Sequence, residues 1–343
     1  MPLYGAIDLH SNNNYLVVSD EKDELVLRRR ELNLLEHVLR DLEPFAGSLM
    51  GVAVESTYNW YWLVDGLMEA GYRVHLVNTA AVRQYEGIKY TNDWSDARWL
   101  AHLLRLGLLP EGYIYPAAQR PVRDLLRKRS QLVRQRTAQL LSLGNIVTRT
   151  TGVRVSRSQL KELTLEEVGQ QLVQPQVTLS ADCSLQVVWT LDRQIERIEQ
   201  AVSQQLKLDA AAQQTEQLLE TVWGVGEILG RTILLETGPV GRFPQVGDYS
   251  SYCRAVTSQC WSNGRQKGEN NAKCGNRYLA WAYVEAANYA ARYYGSAQRF
   301  VERKTAQVNR ALAIKALANK LCRASYWVMK EQVKFEPTRL FGS

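Results

Sequence analysis

The sequence predicts a mixed-sheet α/β domain followed by an all-helical remainder. Three observations carry that expectation. Up to about residue 115, short runs of strand-favouring apolar residues alternate with helix-spaced ones; from there to about residue 210 only helical spacing is found. Beyond that, long helices flank one polar stretch rich in glycine and serine. The chain has 343 residues, enough for roughly two domains of ordinary size. With 45% hydrophobic and 22% charged residues, the composition is that of a globular protein and excludes disorder and collagen-like repeats.

The elements follow in order. Residues 4–9 (YGAIDL), 14–19 (NYLVVS) and 24–30 (ELVLRRR) read as strands, the last two separated by the turn-like DEKDE. Residues 32–42 show helical spacing, and 50–55 (MGVAVE) form a buried-strand run. Residues 58–71 form a helix that ends at Gly71, 72–78 (YRVHLVN) a strand, and 93–107 a helix closed by Gly107. From Val122, apolar positions recur at helical spacing while Arg120, Arg123, Arg127, Lys128, Arg129, Arg134 and Arg136 crowd the remaining surface. Val188, Leu191, Ile195, Ile198 and Val202 step by 3, 4, 3 and 4, a short seam that suits either a coiled coil or packing on the chain's own core. Residues 215–238 read as helix, Gly-x-Gly turn, helix, and long helices follow through 277–294 and 310–332. The expected organisation is therefore 1–115, 116–210 and 211–343.

Lys plus Arg number 42 against 35 for Asp plus Glu, a net charge of +7, which suits a phosphate-rich partner. The five cysteines are odd in number and form no CxxC pair. That excludes a tidy disulfide framework and argues against a structural zinc site, leaving reduced thiols in a cytoplasmic protein as the expectation. No apolar stretch reaches the ~18 residues of a membrane span, and the N-terminal MPLYGAIDLHS reads as a strand rather than a signal peptide.

Carboxylates carry the first chemical signal. Asp8 stands inside an apolar strand and Glu55 ends another, settings in which a charge is costly unless paired or metal-bound. Asp93 and Asp96, three apart, share one face at a helix start. Each has a plain alternative: Asp93 as the helix cap, Asp96 as a first-turn acid, Asp8 as a strand terminus. Together they suit one or two hard divalent ions such as Mg²⁺, and two ions stabilise both oxygens of a phosphodiester displacement. An Asp on the first strand, a Glu on a later strand and an Asp on a following helix is the placement of a ribonuclease-H-like domain.

The second signal lies in residues 256–276. Ser262 precedes Asn263-Gly264, a strong turn signal that exposes its hydroxyl, and Arg265, Lys267 and Lys273 are placed to hold phosphates. No Gly-x-Ser-x-Gly elbow is present. On spacing alone Ser262 is a weak nucleophile signal and reads more readily as a loop or cap residue. Gly224 and Gly226, in Trp223-Gly224-Val225-Gly226, suit either a helix–hairpin–helix that meets DNA phosphates or a tightly packed corner. The basic face of Arg123, Arg127, Lys128 and Arg134 suits either a nucleic-acid backbone or solvent.

The ordered set AIDLHSNN, VAVESTYNWY, NDWSDARWLA, VWGVGEILGRTILLETG and SNGRQKGENNAKCGNRYLAWAYVEAA resembles the DEDD transposases of bacterial insertion-sequence family one-hundred-and-ten and its eleven-eleven relatives, the bridge recombinases. The resemblance covers nearly the whole chain. It implies an N-terminal RuvC-like domain, a coiled-coil linker and a C-terminal, mainly helical transposase domain with a helix–hairpin–helix character. The metal tetrad it implies falls on Asp8, Glu55, Asp93 and Asp96, and the nucleophile on Ser262, followed by Gly264, Gly268, Gly275 and Asn276. Many members carry Ala-Gly-Leu-x-Pro before the serine; this chain reads Arg254-Ala255-Val256-Thr257-Ser258, which leaves Ser258 as the alternative.

The resemblance further implies a structured bridge RNA that pairs with donor and target DNA, a homo-oligomer that assembles from dimer to tetramer, and a serine–DNA covalent intermediate formed in a Mg²⁺-dependent site composed across subunits. Two rivals remain at this stage. One is a RuvC-like nuclease with water as nucleophile; the other is a nucleic-acid-binding protein with a degenerate catalytic domain.

Overall fold

The computed structural model describes residues 1–82, 92–257, 259–268 and 274–341. It divides into two compact units, Met1–Ala117 with Thr257–Cys274, and Ala118–Val256 with Gly275–Ser343.

In the first unit, β1 (Leu3–Leu9), β2 (Asn13–Ser19), β3 (Leu25–Leu32), α1 (Leu35–Leu42), β4 (Leu49–Glu55), α2 (Tyr61–Glu69), β5 (Val74–Val77) and α3 (Asp93–Arg105) follow in sequence. The five strands form one mixed sheet of order β3-β2-β1-β4-β5. β1 and β2 pair antiparallel with Asp8 opposite Tyr15, whereas β1 and β4 run parallel with Ile7 opposite Val54. β1 reads as a continuous apolar run because both its faces are covered. Ile7 and Leu9 pack with Val38, Leu63 and Leu67 of α1 and α2, while Ala6 packs with Ala53 and with Ala97, Leu100 and Ala101 of α3. The outer strand β3 shows mostly exposed residues, including Arg28, Arg29 and Arg30; charge on an edge strand discourages further pairing. Arg28 and Arg30 share one face and lie over the Trp94 and Tyr15 rings at 4.1 and 5.5 Å.

The second unit is helical: α4 (Arg120–Thr151), α5 (Arg157–Glu162), α6 (Leu165–Gln171), α7 (Pro175–Lys207), α8 (Ala210–Glu220), α9 (Glu227–Thr237) and α10 (Val246–Tyr252). After the strands β6 (Cys260–Ser262) and β7 (Arg265–Gly268), which fall in the first unit, come α11 (Arg277–Tyr293), α12 (Gly295–Thr305), α13 (Arg310–Glu331) and α14 (Pro337–Phe341). α4 and α7 pack antiparallel, Arg129 pairing with Glu199 and Arg136 with Asp192. The seam from Val188 to Val202 is buried in this intrachain contact. Val188 packs with Leu140, Leu143 and Val147, and Val202 with Leu126. The apolar stripe of α7 thus has a partner within the chain, the apolar stripe of α4.

Around α11 and α13, Tyr249, Tyr283 and Tyr326 are fully buried. Their hydroxyls are satisfied, Tyr249 with Tyr283 at 2.7 Å and with Thr237 at 3.0 Å, and Tyr326 donating to the Phe243 carbonyl at 3.0 Å. Among the described residues, no helix is long and apolar enough to cross a membrane.

Candidate metal centre

Strand alternation places the acids. Asp8 shares the face of Ala6 on β1, and Glu55 the face of Ala53 on β4; both alanines lie against α3. α3 begins at Asp93, so its first turn carries Asp93 and Asp96 toward the same place. Asp8, Glu55, Asp93 and Asp96 all line one cavity of about 410 Å³, together with His10, Thr79 and Trp99.

The plain alternative for Asp93 is answered by the neighbouring residues. Asn92 is the cap: its side-chain oxygen accepts from the Ser95 amide at 3.0 Å, and the Ser95 hydroxyl accepts from the Asn92 amide at 2.9 Å. Asp93 is thus not needed as the cap, and Asp96 stands in the first turn, where an acid also suits the helix start.

Asp8 is almost wholly buried. The Glu55 carboxyl is pushed up to about 8, first by burial, then by its hydrogen bond with Asp8 and the charges of Asp8 and Asp96. Crowded carboxylates of this kind bind a proton or a cation. On the far side of Asp93, the Tyr15 hydroxyl hydrogen-bonds the Asp93 carboxylate, which raises the phenol above its ordinary range.

Sequence reasoning did not assign His10 to the site. Its Nε2 lies 3.3 Å from Asp8 Oδ2 and 3.5 Å from Asp93 Oδ1. The signal was available, because a residue two positions beyond Asp8 in extended chain projects to the same face. Asn33 and Asn59 were also missed. Their side-chain amides donate to the His10 carbonyl at 2.9 and 3.0 Å, and the Thr57 hydroxyl holds Asn59 at 2.8 Å. The donor set is oxygen-rich and hard, as a divalent cation requires.

Ser262 sits at the end of β6, opposite Arg265 of β7, and is exposed. Asn263 and Gly264 have φ of +50° and +69°, both left-handed, as a two-residue hairpin turn demands. Arg265 and Lys267 share one face of β7 and are exposed. This hairpin groups with Met1–Ala117, the part of the chain that holds the acids. Lys273 and Ser258 lie outside the described residues.

The predicted nucleic-acid contacts divide. Lys128 and Arg134 are exposed on α4. Arg127 instead grips the buried Glu236 through two bonds of 2.6 and 2.7 Å, a pair completed by Asn276 at 2.7 Å. Arg123 is buried. Gly224 has φ +81°, and a Cβ there would stand 2.0 Å from the Ala286 carbonyl oxygen, so this glycine is required by a close backbone approach. Gly226 is exposed at the start of α9.

Residues 6–151 match the family profile for DEDD transposases of the IS110 type, and residues 216–302 match the profile described as Transposase IS116/IS110/IS902 family. The chain belongs to the IS110 family of transposases. It is also 25% identical over 335 residues to a "Probable family 20 transposase" of Pseudomonas aeruginosa (strain PAO1), an alignment covering 92% of this chain and 94% of the relative. In this transposase the first profile ends within α4 and the second spans α8 to α12, so the acids fall in one matched region and Ser262 in the other.

Proposed function

We propose that this transposase is a DNA recombinase that cuts and exchanges strands through a covalent serine–DNA link made by Ser262. The observation that carries the reading is the convergence of Asp8, Glu55, Asp93 and Asp96 on one cavity in a chain of this family. The first unit, with an Asp on the central strand of a β3-β2-β1-β4-β5 sheet, is read as RuvC-like.

In the proposed reaction, the Ser262 Oγ attacks the scissile phosphorus. A P–O bond to the serine forms as the P–O bond to one deoxyribose oxygen breaks, and that oxygen leaves as a hydroxyl after gaining a proton. The phosphoester energy is conserved in the link, so reversal by a second strand needs no nucleotide cofactor. A divalent ion, Mg²⁺ by the hardness of the oxygen donors, supplies Lewis acidity toward the serine hydroxyl and the developing charge. Asp8, Glu55, Asp93 and Asp96 would together hold one or two such ions. Asn263 and Gly264 present the hydroxyl at a tight turn, and Arg265 and Lys267 bind phosphates on either side of it. Lys128 and Arg134 are read as contacts to the nucleic-acid backbone.

The family resemblance extends the reading to a structured bridge RNA that pairs with donor and target DNA, and to a homo-oligomer that assembles to a tetramer with a site composed across subunits. The test uses the full chain with a plasmid bearing the element's ends and its flanking non-coding RNA. Asp8→Asn and Ser262→Ala are each expected to abolish cleavage while far-UV circular dichroism stays unchanged. Full cleavage by folded Asp8→Asn contradicts the metal site; full cleavage by Ser262→Ala removes Ser262 as the nucleophile, in favour of Ser258 where a protein–DNA adduct still forms and of water where none does.

A further inference from the structure

We propose that His10 is a nitrogen ligand of the metal centre, and that with Asp8 and Asp93 it forms one position selective for a first-row transition-metal dication over Mg²⁺. The inference rests on the metal-dependent reading above. It goes beyond the four carboxylates by making the centre asymmetric, with one nitrogen-containing position beside an all-oxygen position at Glu55 and Asp96.

The first support is an orphaned atom. His10 Nε2 is shielded from solvent, yet among the described residues it has no hydrogen-bond partner. The side chain as a whole is 42% exposed, and what Nε2 itself faces is two carboxylate oxygens at ion-pair distance, Asp8 Oδ2 at 3.3 Å and Asp93 Oδ1 at 3.5 Å, a setting that a cation completes.

The second support is spacing. Adjacent ligands of an octahedral ion with bonds of 2.0–2.1 Å stand about 3 Å apart. One donor atom each from Asp8, His10 and Asp93 falls within 4.8 Å of the other two. The two His10 contacts, at 3.3 and 3.5 Å, are already close to that separation.

The third support is that His10 is held in place. Its amide donates to the Asn13 carbonyl at 3.0 Å, and its carbonyl accepts from Asn33 and Asn59. Its ring meets the Tyr15 ring edge-on at 5.6 Å, and the Tyr15 hydroxyl in turn holds Asp93. Outer groups that fix ligands in this way are a regular feature of metal sites. Selectivity follows from donor type. Mg²⁺ favours oxygen and dehydrates reluctantly, whereas imidazole nitrogen strengthens binding along the first transition row.

The test uses the full-length protein and Mn²⁺ as the probe, read by electron spin-echo modulation with unlabelled and ¹⁵N-histidine-labelled samples. The expected result is a directly bound nitrogen whose coupling changes on labelling and vanishes in His10→Asn. In that variant the Mn²⁺ Kd rises about tenfold or more while the Mg²⁺ Kd changes about twofold or less. Circular dichroism on His10→Asn separates ligand loss from unfolding. Mn²⁺ that binds through Asp8, as judged by its loss in Asp8→Asn, but shows no nitrogen coupling overturns the His10 assignment and leaves the carboxylate centre standing. Mn²⁺ binding indifferent to Asp8→Asn overturns both.

Discussion

Asp8 and Glu55 occupy neighbouring parallel strands, one step beyond the Ile7–Val54 rung, and their carboxyls share a hydrogen bond that helps push Glu55 to about 8. A raised carboxyl has a definite consequence for stability. Between its ordinary value near 4.5 and about 8, the folded chain holds a proton that the unfolded chain has released, so stability falls as pH rises through that window. Urea unfolding in chelator is expected to show that decline from about pH 5 to about pH 8, and Glu55→Gln is expected to flatten it. A slope unchanged by Glu55→Gln contradicts the shared proton. A bound divalent ion displaces the same proton, so calorimetry in buffers of different ionisation enthalpy is expected to register proton release on metal binding at pH 7.

The α7 stripe is buried within the chain, and its truncation is expected to report on folding. Ile195, 4% exposed, lies in the antiparallel α4–α7 contact. Ile195→Ala is expected to lower unfolding free energy by roughly 2–4 kcal/mol with no change in assembly mass by light scattering. A halved mass at unchanged stability contradicts the intrachain assignment.

Basic residues of α4 separate into two kinds. Neutralising exposed Lys128 and Arg134 together is expected to reduce the salt slope of nucleic-acid binding by up to about two units and to leave stability unchanged. Arg127→Ala does the reverse. It strands the buried Glu236 carboxylate and removes roughly 2–3 kcal/mol of stability, a figure set below that of a fully buried pair because the Arg127 side chain is 31% exposed. An Arg127→Ala protein of unchanged stability whose salt slope alone falls contradicts this division.

Much of the first unit was legible in the sequence because its signals are local. Apolar runs with turns between them marked the strands, and period-two alternation with a first helical turn sufficed to bring Asp8, Glu55, Asp93 and Asp96 together. The Asn92-x-x-Ser95 box was legible in the same way, yet the capping role had been weighed for Asp93. What escaped depends on contacts through space. Which arginines of α4 face solvent is decided by its antiparallel register against α7 and by Glu236 of α9, partners 56 to 109 residues away in sequence. The need for glycine at 224 comes from the carbonyl of Ala286. β6 is too short, and β7 too short and polar, to announce themselves beyond their Asn263-Gly264 turn.

The central claim is that Ser262 becomes covalently joined to DNA, and it is tested most directly by identifying the joined residue. The full-length protein would be trapped on a nicked or mismatched junction substrate in Mg²⁺, digested with protease and nuclease, and its nucleotide-bearing peptide sequenced by mass spectrometry. The account predicts a single modified position, Ser262, absent from Asp8→Asn. A nucleotide on Ser258 or another residue, or efficient cleavage with no adduct, would contradict it.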